Sequence, residues 1–84
     1  MNIRIDTEAR AVYVEFKTDK VSRTVEFAPE TFVDLDGRGH LLGIELLNPG
    51  TLEVQLRKVG KRFHIPDNRH LRAKLHEARE LLSA

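Results

Sequence analysis

The chain is predicted to fold as α+β: a five-stranded antiparallel meander over residues 1–48, with two helices, 51–64 and 67–83, packed on one face of it. Three observations predict this. Five short segments in the first half alternate apolar and polar residues with the two-residue period of a strand that separates core from solvent. Turn-forming residues stand between these segments at hairpin spacing. The second half changes to the three- and four-residue apolar spacing of amphipathic helices. At 84 residues, the whole is one domain, 1–84, with a modest core.

Ile3 and Ile5 begin the first strand, and the polar run Asp6 to Arg10 turns the chain. Ala11 to Phe16 is the second strand, with Val12, Val14 and Phe16 on one side and Ala11, Tyr13 and Glu15 on the other. Lys17 to Lys20 connects it to Val21–Phe27, where Val21, Val25 and Phe27 oppose Ser22, Thr24 and Glu26. Pro29 ends that strand, because proline cannot donate to a sheet ladder. Thr31 to Leu47 then folds into a hairpin about Asp36-Gly37-Arg38-Gly39, where glycine takes positive φ freely and aspartate bonds back to its own backbone. Short connections favour antiparallel neighbours in chain order.

Asn48-Pro49-Gly50 ends the sheet, and the Thr51 hydroxyl is placed to cap the first helix. Leu52, Leu56, Val59 and Phe63 form its apolar stripe, with Gly60 inside it. Pro66 stops this helix and Asp67 caps the next, whose stripe is Leu71, Leu75, Ala78 and Leu82. Neither helix is long enough to persist alone, so both are expected on the sheet.

The segments IDTEARAVYVEF, VSRTVEF and FVDLDGRGHLLGIELLN, taken in order, resemble the DUF2283 family of small bacterial and archaeal proteins. The matching positions are Asp6, Glu8, Ala9, Tyr13, Val33, Asp34, Asp36, Gly43, Ile44 and Glu45, and the likeness spans residues 2–48. Thr7 departs from a frequent proline and Arg38 from a frequent acidic residue. The resemblance implies a small β-sheet domain and assigns no activity. The C-terminal helices lie outside it.

Composition narrows the chemistry. There is no cysteine, so disulfides, thiolate metal sites and a cysteine nucleophile are all excluded. No apolar run reaches the length of a membrane span, and a charged start without a signal-peptide pattern makes the cytoplasm the expected compartment. Asp34, Asp36 and Glu45 share the spacing of a calcium loop, yet Arg38 occupies a ligand position and strands flank the loop, so no metal is expected. His40, His64, His70 and His76 lack ligand spacing, and no nucleophile elbow or phosphate loop occurs. No cofactor, catalytic residue or enzymatic activity is therefore expected.

Charge is unevenly placed. Residues 1–50 hold six Lys and Arg against nine Asp and Glu, and residues 51–84 hold eight against four. Arg69, Arg72 and Arg79 form a stripe on the last helix and are the candidate anion-binding residues, a surface that suits nucleic acid. If the helices cover the face of Val14, Val33, Leu35, Ile44 and Leu46, the other face keeps Tyr13, Phe32, Leu41, Gly43 and Leu47. That patch is the expected face of a two-fold homodimer, with Gly43 leaving room for a partner. The expected function is a non-catalytic protein-interaction module, antitoxin-like in role; the alternative is a nucleic-acid-binding accessory protein using the basic helices.

Overall fold

The computed structural model describes residues 2–65 and 69–83. Five strands form one antiparallel sheet: β1 (Asn2–Asp6), β2 (Ala11–Glu15), β3 (Arg23–Ala28), β4 (Thr31–Leu35) and β5 (Leu41–Leu46). A short 3-10 turn, Pro49–Thr51, leads into α1 (Leu52–Phe63), and α2 (Arg69–Ser83) completes the fold. The predicted α+β class therefore holds.

The consecutive meander does not. Across the sheet the order is β1-β2-β5-β4-β3, so β5 lies between β2 and β4 and β3 forms an edge. Burial explains the insertion. Leu42, Ile44 and Leu46 of β5 are each at most 2 % exposed, and so apolar a strand is best served by a neighbour on each side. Arg23 to Glu26 of β3 is exposed throughout, as suits an edge. The connection from β2 to β3 is fastened at both ends: the Phe16 amide donates to the Leu42 carbonyl (2.8 Å) and the Ser22 amide to the Leu35 carbonyl (2.8 Å).

Both helices pack on the same face. Val12, Val14, Val33, Leu35, Ile44 and Leu46 of the sheet form one buried cluster with Leu52 and Val59 of α1. Leu71, Leu75, Ala78 and Leu82 of α2 join it, the stripe expected from their spacing. The stripe of α1 is shifted from the expected one. Gln55 is buried beside Leu52 and Val59, whereas Leu56 and Phe63 are half-buried, and the Phe63 ring lies 6.4 Å from that of Phe27.

The ends of α1 depart from expectation in a second way. Thr51 makes no side-chain cap; its hydroxyl donates to the Asn48 carbonyl (3.2 Å), and Asn48 Oδ1 accepts from the Gly50 amide (2.9 Å). The 3-10 turn explains this, since it directs the Thr51 hydroxyl back toward Asn48 and away from the helix amides. At the other end His64 is left-handed (φ 58°), and the Ile65 amide donates to the Gly60 carbonyl (2.9 Å), which closes the helix. Pro66 and Asp67, read as stop and cap, lie outside the described residues.

Candidate functional site

With both helices on one face, the opposite face of the sheet is open. Strand register decides its occupants. Arg4 pairs with Tyr13, Tyr13 with Glu45, Glu45 with Phe32 and Phe32 with Glu26, in a row that crosses all five strands. The adjacent row runs Asn2, Glu15, Gly43, Asp34 and Thr24. Paired residues share a face, so both rows are on the open one.

Tyr13 joins the two rows. Its hydroxyl reaches over Gly43 and donates to Asp34 Oδ2 at 2.7 Å. Asp34 Oδ1 accepts from the Thr24 hydroxyl, so both carboxylate oxygens are engaged. The Arg4 guanidinium lies 4.7 Å from the centre of the Tyr13 ring, in cation–π contact. Glycine is required beneath the ring: a Cβ on Gly43 would overlap the Tyr13 hydroxyl and lie 2.6 Å from Cζ. The space that sequence reading reserved for a partner is thus filled by this chain's own tyrosine. Burial pushes the Tyr13 pKa up to about 12, helped by the bond to Asp34 and its charge, while Arg4 pulls the other way. At neutral pH the side chain is an uncharged donor and cannot serve as a base.

Charge on this face is one-sided. Asp6, Glu15, Glu26, Asp34 and Glu45 share it with Arg4, while Arg23, the other cation of the paired strand residues, pairs with Leu35 of the core face. The face combines two half-buried aromatic rings, Tyr13 and Phe32, with an acidic surround. Such a face offers aromatic surface and charged groups for binding.

Of the predicted patch, Tyr13, Phe32 and Gly43 come together here. Leu47 lies just beyond β5 and is 37 % exposed. Leu41 does not belong to the patch. The register slips between Asp34 and Leu35, so that Leu41 opposes Leu35 and packs against the core cluster. A bulge inserts one residue, and one residue is enough to send a strand side chain to the other face. Arg4, Thr24 and the Tyr13–Asp34 bond were missed by sequence reading; the one available signal was Gly43, set among the aliphatics of β5.

The calcium-like carboxylates are used otherwise. Asp36 Oδ1 accepts from the Arg38 amide (2.9 Å) and the His40 amide (2.8 Å), and Gly39 (φ 81°) completes the turn. The amide bonds, led by that from His40, hold the Asp36 carboxyl below its ordinary pKa. Among the described residues no three His, Asp or Glu side chains are grouped to hold a metal ion.

The arginine stripe is divided by the fold. Arg79 Nη1 stands 3.5 Å from Glu53 Oε1, Arg72 borders the groove between the helices, and Arg69 is exposed at the start of α2. Glu77 and Glu80 lie beside the stripe, 3.7 Å from Lys74 and His76 respectively. No helix among the described residues is long and apolar enough to cross a membrane.

A family profile described as "Protein of unknown function (DUF2283)" matches residues 2–48, more than half of the chain. The chain belongs to the DUF2283 family. The DUF2283 match ends with the sheet, so the Tyr13–Gly43–Asp34 arrangement lies within it and α1 and α2 lie outside. No curated protein and no solved structure matches this DUF2283 chain.

Proposed function

We propose that the protein is a cytoplasmic, non-catalytic interaction module that presents the open face of its sheet to a cationic protein partner. The antitoxin-like half of a two-protein pair is the role this reading favours. One observation carries it: the face left uncovered by the helices sets five carboxylates against one guanidinium around Tyr13 and Phe32. Such a surface attracts basic partners and repels acidic ones. Aromatic side chains concentrate binding energy at interfaces, and Tyr13 is already held by Asp34 and Arg4, so it loses little freedom on binding.

A second copy is the other occupant that suits an apolar patch. Pairing this face with itself, however, sets carboxylates against carboxylates, which a basic partner avoids. Nucleic acid is repelled by the open face and would have to use the helices instead.

Purification from the native host at low salt tests the proposal. Wild type is expected to retain a basic protein, the Glu26→Lys/Glu45→Lys variant to lose it, and Arg69→Glu on α2 to keep it. Retention by the charge-reversed sheet, or loss through the helix change, contradicts the proposal. Light scattering behind a sizing column is expected to give a single-chain mass for the isolated protein. A dimer mass abolished by Glu45→Lys would assign the face to a second copy.

A further inference from the structure

Residues of both helices line a groove of about 700 Å³, on the far side of the sheet from the acidic face. That volume is within the roughly 300–1,000 Å³ of small-molecule sites. We infer that this groove binds an amphiphilic carboxylate, with its apolar chain along the floor and its head at a cationic rim.

The floor is aliphatic: Leu56, Ile65, Leu71 and Leu75 line it. The rim is basic. Arg57 and Lys61 stand one turn apart on α1 and supply its positive charge. Glu53, the one carboxylate among the described lining residues, is matched by Arg79 at 3.5 Å. An anion is therefore favoured at the rim and an alkyl chain below it.

Gly60 supplies an independent argument. Glycine weakens a helix interior relative to alanine, and packing usually explains its presence there. Here packing among the described residues does not. Among them, a Cβ on Gly60 would meet Ile65 at 3.9 Å, an ordinary contact, and nothing nearer. Gly60 lines the groove, so the missing side chain leaves open space in the cavity. Room for a ligand accounts for a glycine that no contact among the described residues calls for.

The same surface suits nucleic acid poorly. A phosphodiester chain follows exposed cations and stacks its bases on aromatic rings. Among the described lining residues the one aromatic ring is the His64 imidazole, and the cations border a trough of leucines. The inference is independent of the partner proposed for the sheet face.

Titration of the ¹⁵N-labelled full chain with octanoate, octan-1-ol and acetate, followed by amide chemical shifts, provides the test. Octanoate is expected to shift the amides of Gly60, His64 and Leu71 saturably, octanol to bind about tenfold more weakly, and acetate to give no saturable shift. Arg57→Gln/Lys61→Gln should weaken octanoate about tenfold and leave octanol unchanged. Gly60→Leu, which favours the helix while filling the groove, should abolish both and leave the amides of the sheet in place. The inference is overturned by equal binding of octanoate and octanol, by shifts centred on the open sheet face, by octanoate binding that survives Gly60→Leu, or by no saturable shift up to about 5 mM octanoate, a concentration that a ligand of this size should exceed in affinity. A short DNA duplex that shifts the same amides more strongly than octanoate would also overturn it, in favour of nucleic acid.

Discussion

Tyr13 and Asp34, on strands that do not touch, are joined by a 2.7 Å hydrogen bond that passes above Gly43 of the strand between them. The bond depends on one missing side chain. A Cβ at residue 43 would occupy the space of the tyrosine ring, and the open face would lose its fixed centre. The strand order makes the arrangement possible, because only the insertion of β5 puts a glycine between these two residues.

Gly43→Ala should therefore displace Tyr13 and destabilise the fold by about 1–3 kcal/mol, the usual range for overpacking. In a Tyr13→Ala background the same change should cost markedly less, because the clashing ring is gone. Denaturant unfolding of the four proteins gives the coupling directly. Equal costs in the two backgrounds would mean that the ring does not rest on Gly43.

Stability should fall between about pH 10 and pH 12 through Tyr13. The sign follows from the raised pKa: the ordinary value is 10.0 and the folded value about 12, so the unfolded chain releases the proton first. Below pH 10 this contribution is fully present, and it is lost as pH rises through the folded pKa. The chain has one tyrosine and no tryptophan, so tyrosinate absorbance reports Tyr13 alone. Tyr13→Phe should remove this part of the pH dependence.

Gln55 is 9 % exposed, and its Oε1 has no hydrogen-bond partner among the described residues. An unpaired buried acceptor costs about 1–3 kcal/mol, and methionine has a similar shape without the polar atoms. Gln55→Met is expected to raise the thermal midpoint. A lower midpoint would mean that the amide makes a compensating bond.

Leu41→Glu should destabilise the fold. Leu41 packs against the core cluster opposite Leu35, so a carboxylate there is placed against apolar side chains. Chemical denaturation should show a loss of about 1–3 kcal/mol. A change in oligomer mass with unaltered stability would return Leu41 to the interface.

Much of this was legible in the sequence because it is local. Period-two alternation marked the strands, and Asp36 with Gly39 marked the turn they make. The helical stripe Leu71, Leu75, Ala78 and Leu82 was legible for the same reason, since a helix repeats its core face every three or four residues. What was not legible is non-local. The position of β5 depends on which strand β2 meets after folding, and short connections argue for the wrong one. The bulge that turns Leu41 inward leaves no sign in the alternation on either side. Tyr13 and Asp34 are 21 residues apart, and their bond becomes visible only once β5 lies between them.

The central claim is that the open acidic face meets a cationic protein, and a photo-crosslinker tests it most directly. A benzophenone side chain in place of Phe32 sits at the centre of that face, and one in place of Leu81, 58 % exposed on α2, serves as the control. In native-host extract the Phe32 probe is predicted to capture one basic protein, and adding Glu26→Lys/Glu45→Lys should abolish the adduct. An adduct from Leu81 but not from Phe32, or a Phe32 adduct that survives the charge reversal, would contradict the account.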